Sequence, residues 1–202
     1  MNATTSNTCG DGRKGESMSF PAILSHYRKR WLPTSEFERF RNMPSLNAAV
    51  EAAALSLKEN GEVYDHQLDR IGNPVADFRT AAKALLDAVN EIEAAPNFDR
   101  LLHLVRAVMR KTFPGSKKEL YEYDTAFRVS AYLDLQRPGM LPTRVYLHCG
   151  TRRGAEALGI PAEGRQAVEV SELPPELQSL PAWQLEDILC LYAKRFPKDW
   201  RR

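Results

Sequence analysis

Cysteine is scarce in this sequence: Cys9, Cys149 and Cys190 are the whole supply in 202 residues. Three thiols so far apart cannot frame a disulfide scaffold. None forms a C-x-x-C pair, which sets aside a zinc ribbon or a thioredoxin-type centre. The expectation is a reducing, cytoplasmic compartment. Long apolar runs are missing as well, and nothing approaches the ~18 residues of a membrane span. The opening stretch MNATTSNTCGDGRKGESM lacks the apolar segment of a secretory signal. Its Gly, Ser, Thr and Asn predict a disordered tail over residues 1–17, followed by a single helical domain over 18–202. Charge of one sign is absent: 28 Lys and Arg face 26 Asp and Glu, a formal +2. Net charge therefore does not imply nucleic acid; only clustering of charge would. Paired-histidine metal motifs do not occur either. The loop Asp65-His66-Gln67-Leu68-Asp69 gathers ligand types but reads as turn and capping residues. No metal and no cofactor are expected.

What is present is a soluble globular composition, 43% apolar and 27% charged, long enough for a substantial core. Helical spacing dominates. Phe20 to Trp31 places Ile23, Leu24, Tyr27 and Trp31 on one face, and Pro33 stops it. Ser35 and Glu38 have capping-box form ahead of Phe37 and Phe40. Ser45 caps an Ala-rich helix over 46–58. Asn73-Pro74 starts a helix carried by Val75, Phe78, Ala82, Leu85, Leu86, Val89 and Ile92. Asn97 caps another, with Phe98, Leu101, Leu102, Val105, Val108 and Met109 inward. Helices over 118–133 and 182–195 complete the set. VYLHC, from Val145, reads equally as a short strand or as helical turns, and Thr151 reads as the cap of a short helix ending at Gly159. Ala167 to Val170 reads as extended, with no partner strand identified. The fold class is mainly α, a compact multi-helix domain with room for one short two-stranded pairing.

The segment Arg110 to Leu133 concentrates candidate function. Phe113-Pro114-Gly115-Ser116 breaks the chain between two helices, and Lys117 and Lys118 open the second. A hairpin of this form presents backbone N–H groups and lysines to phosphate. Further along, Asp124, Thr125, Arg128 and Val129 form an Asp-Thr-x-x-Arg-Val series. Together the hairpin and this series resemble the helix-hairpin-helix DNA glycosylases over about twenty residues. The resemblance implies a helix-hairpin-helix-like element. It also implies that Asp124 is the carboxylate that stabilises charge developing on a flipped nucleotide or activates a nucleophile. The lysine nucleophile of bifunctional members has no counterpart here. Without that family, the stretch reads as a core helix packed through Ala126, Phe127, Ser130, Ala131 and Leu133, with Arg128 one turn beyond Asp124 on the same face.

His148-Cys149-Gly150-Thr151-Arg152-Arg153-Gly154 pairs a histidine with a cysteine. The arginine spacing of a cysteine phosphatase fails, because Ala155 stands where it is required. Neighbouring residues point apart, so His148 is poorly placed to activate Cys149. The better reading is an anion-favouring helix start with Arg152 and Arg153 in its first turn. Gly154 and Ala155 are small, as a close backbone approach requires. Further basic clusters are Arg28-Lys29-Arg30, Arg106 with Arg110-Lys111, and Lys194-Arg195 with Arg201-Arg202.

These readings converge on a non-catalytic nucleic-acid-binding protein that contacts the phosphate backbone, most simply of duplex DNA. Its candidate contacts are Arg110, Lys111, Gly115, Lys117, Lys118, Arg128, Arg152 and Arg153. One alternative is a helical protein-interaction module. Another is a glycosylase-like or nucleotide-processing enzyme using Asp124. Membrane association is not expected, and oligomeric state is left open.

Overall fold

Nine helices and one two-stranded sheet organise the described residues. The structure is a computed structural model that describes residues 16–30, 34–63, 74–115 and 119–197; for residues 34, 35, 74 and 75 it describes the backbone alone. Residues 1–15 of the disordered tail expected over 1–17, together with Trp31, Pro33, the 65–69 loop, the Asn73 cap, Lys117, Lys118 and Arg201-Arg202, lie outside the described residues; Ser17, at the end of that tail, donates through Oγ to the Phe196 carbonyl at 3.3 Å. The chain is mainly α, as its periodicity predicts. By its contacts it divides into two compact units, Pro33–Pro142 and Met1–Leu32 together with Thr143–Arg202.

The contiguous unit holds α2 (Thr34–Arg41), α3 (Leu46–Ala54), α4 (Pro74–Asp87), α5 (Val89–Glu93), α6 (Phe98–Thr112) and α7 (Glu119–Gln136). Ser45 caps α3 by accepting from the Ala48 N–H at 3.2 Å, and Asn97 caps α6 by accepting from Arg100 at 3.0 Å. Both caps satisfy N–H groups that a helix start leaves without partners. Helix α7 runs through the middle, packed by α2, α3, α4's neighbour α6 and their apolar faces. Phe40, Val50, Phe78, Leu85, Leu101 and Met109 fill the surrounding core. Beyond α7, Asp134 Oδ1 accepts from the Gly139 and Met140 N–H groups, at 2.9 and 3.0 Å, and shapes the Pro138-Gly139 turn. Arg137 donates to the carbonyls of Glu93 and Ala95 and so ties the loop before α6 to the end of α7.

Several expected boundaries differ: the helix expected over 118–133 runs on to Gln136, the one expected over 182–195 ends at Tyr192, and two others have a visible local cause. The helix predicted over 46–58 ends at Ala54, because Ser56 takes a left-handed φ of 50° and stops α-helical propagation. The helix predicted through Val75 to Ile92 is two helices, broken at Ala88, whose φ/ψ of −104°/16° leaves the helical region. No glycine or proline marks that break in the sequence.

The discontinuous unit holds α1 (Phe20–Arg30), β1 (Val145–Tyr146), α8 (Cys149–Ala157), β2 (Ala167–Val168), a single 3₁₀ turn (Val170–Glu172) and α9 (Ala182–Tyr192). VYLHC is thus partly strand, and Ala167–Val168 is the partner: the pairing is antiparallel, with Val145 opposite Val168 and Tyr146 opposite Ala167. The core joins Phe20, Ile23 and Tyr27 of α1 to Val145, Ile188 and Leu189, among others. Arg165 grips Glu172 through both guanidinium nitrogens, at 2.8 and 2.5 Å, which fixes the 3₁₀ turn after β2.

Helices α8 and α9 make the closest approach. A Cβ on Gly154 would lie 2.6 Å from the Leu189 carbonyl carbon and 2.8 Å from its Cα. Real Cβ atoms do not come so near, so glycine is required there, as the small residues at 154 and 155 predict. Gly150, one turn earlier, faces the Cys190 sulfur in the same manner. No helix among the described residues is long and apolar enough to cross a membrane.

Candidate functional site

The candidate residues fall on both units. Arg110, Lys111, Gly115, Asp124 and Arg128 belong to the contiguous unit, Arg152 and Arg153 to the other.

Helix α6 ends in Arg110 and Lys111, both exposed. Thr112 bends back to the Val108 carbonyl, and Phe113 closes the helix with its N–H on the Met109 carbonyl at 2.8 Å. Pro114 and Gly115 follow, with Gly115 at φ 78° and no atom of the described residues within 4 Å of its Cβ position. The positive φ favours glycine at this position. Arg100 and His103 are exposed on the same helix. With Arg110 they share one face, at intervals of three and seven residues. Arg106 lies inward of that row and pairs with buried Glu122 at 3.6 Å.

Helix α7 is buried on more faces than its sequence suggests. The reading of a one-sided core helix placed Arg128 on its charged side, where it would pair with Asp124. In the structure Arg128 is 6% exposed and donates through Nε to Glu36 of α2 at 2.8 Å. Its guanidinium also lies 5.9 Å from the Phe40 ring centre. The cause is that helices pack α7 from several directions, leaving no charged side turned to water. Asp124 is half-buried. Its neighbours Tyr123 and Phe127 stack at 6.2 Å, and Phe37 of α2 extends the stack at 6.1 Å. One turn earlier, burial raises the Tyr121 phenol far above its ordinary value; its hydroxyl donates to the Ala54 carbonyl at 2.6 Å.

The start of α8 is built differently from the sequence expectation. Thr151 is not the cap. His148 is, accepting from the Gly150 N–H through Nδ1 at 3.2 Å, while Thr151 Oγ1 accepts from the His148 N–H at 2.8 Å. An Nδ1 that accepts leaves the proton on Nε2, which donates to Oε1 of Glu186 on α9. Histidine and glutamate are both buried, at 2% and 6% exposure. Both ring nitrogens are committed, so His148 is held as a structural cap and not as a base for Cys149.

Arg152 donates to the carbonyls of Leu147, Ala162 and Arg165, so its guanidinium stitches the loop after α8 to β1. Arg153 is exposed, and its Nε donates to the Cys149 carbonyl at 3.3 Å. Sequence reasoning missed the His148–Glu186 pair, because its members are 38 positions apart. It also missed the carboxylate bound to Tyr27, Asp187, at 2.8 Å. Burial first, and then Asp187, raise that phenol strongly. No group of three or more His, Cys, Asp or Glu is placed to hold a metal among the described residues.

Comparison with protein-family models, with curated proteins and with solved structures finds no match.

Proposed function

We propose that the chain binds nucleic acid non-catalytically, through phosphate contacts made by the exposed end of α6 and the turn that follows. One observation carries the reading: Arg110, Lys111 and Gly115 stand exposed together at the end of α6, while Arg128 and Arg152 are taken up inside the fold. The row Arg100, His103 and Arg110 extends the surface over about 15 Å of helix. Contacts of this type set affinity without choosing sequence. The helix-hairpin-helix resemblance agrees with a phosphate-facing turn at this place in the chain.

The test is duplex DNA binding measured between 50 and 200 mM salt. Three or four phosphate contacts predict a slope of log K against log salt of about −3. Arg110→Ala/Lys111→Ala is expected to reduce that slope by about 2. Absence of binding at low salt, or a double variant that binds as the wild type does, overturns the reading. Salt-insensitive capture of a protein by that same double variant would favour the interaction-module alternative.

A second reading has its own observation. Asp124 is half-buried beside the Phe37–Phe127–Tyr123 stack, and stacked rings suit a base. It assigns Asp124 to chemistry on a nucleotide. Incubation with duplexes carrying damaged bases tests it, and activity that survives Asp124→Asn would remove the assignment.

A further inference from the structure

We draw no further inference here: the strongest candidate, the exposed thiol of Cys149 at the start of α8, beside the Gly150 on which the Cys190 sulfur of α9 packs, rests on a cysteine at a helix N-terminus, and no second observation among the described residues points to a ligand there.

Discussion

Replacing Gly154 by alanine should do more damage than any other single methyl added to this chain. The new Cβ would sit 2.6 Å from the Leu189 carbonyl carbon and 2.8 Å from its Cα. Both are backbone atoms inside α9, so no rotamer change relieves the overlap. The helices must separate, and with them go Leu185, Ile188 and Leu189, all fully buried. Overpacking in a closed core costs about 1–3 kcal/mol, and more where backbone is struck. The upper end applies, about 3 kcal/mol. For a unit of this size that is a fall of about 15 °C in the midpoint of thermal unfolding. Trp183 lies on α9 in the discontinuous unit, so its fluorescence, read with Trp31 and Trp200 replaced by phenylalanine, follows the transition in question. Gly150→Ala is the matched control. Its methyl meets the Cys190 sulfur, a side-chain atom, and Gly150→Ala/Cys190→Ala should recover most of the loss. A Gly154→Ala midpoint within 3 °C of the wild type would refute the close packing of α8 on α9.

Other expectations follow from single groups. Ser56→Gly should stabilise by about 1 kcal/mol in urea unfolding: it removes a non-glycine φ of 50° and a buried hydroxyl without a partner among the described residues. A loss of stability would mean that the hydroxyl is used. His148→Ala should cost about 3 kcal/mol, since it strips the α8 cap and leaves the Glu186 carboxylate buried without the ring that serves it. Glu186→Gln, which can still accept from Nε2, should cost clearly less, and equal losses would contradict the hydrogen-bond assignment. The Arg165 guanidinium, with the Glu169 N–H, holds the Glu172 carboxyl at about 2, below its ordinary 4.5. A depressed carboxylate contributes stability above pH 4.5 that fades as pH falls toward 2. The pair is a third exposed, so the contribution is at most about 1 kcal/mol. Glu172→Gln should flatten the stability profile across that window and leave pH 7 to 8 parallel to the wild type.

Local signals carried the fold a long way. Ser45 and Asn97 announce their helices because a cap is decided within three residues. The inward row of α6, from Phe98 to Met109, is visible because one face of that helix meets water. Helix α7 defeats the same logic. Its neighbours come from several directions, so Arg128 sits among apolar groups and answers to Glu36, a partner 92 positions away. The break at Ala88 leaves no mark, since alanine favours a helix on both sides of it. The pairing of Val145 with Val168 was half legible: each piece has strand character, but a two-residue ladder is decided by the helices around it. Among the site residues, exposure was the missing quantity. Arg110 and Arg152 look alike in sequence, yet one faces water and the other binds three carbonyls.

The order of the chain has a consequence for how the molecule comes into being. The unit made from both ends is interrupted by Pro33–Pro142, which is continuous in sequence. During synthesis the interrupting unit has all of its own contacts as soon as Pro142 has emerged. Helix α1, made before that unit, has no such partners. Phe20, Ile23 and Tyr27 complete their core only with α8 and α9, more than a hundred residues later. At about 5–20 residues per second that is a wait of about 8–30 seconds with an apolar helix face uncovered. Loop closure over so long a span also slows docking. Helix α1 is thus made before the interrupting unit and buried after it, and a circular permutant that places α1 directly after α9 should shorten the slowest folding phase.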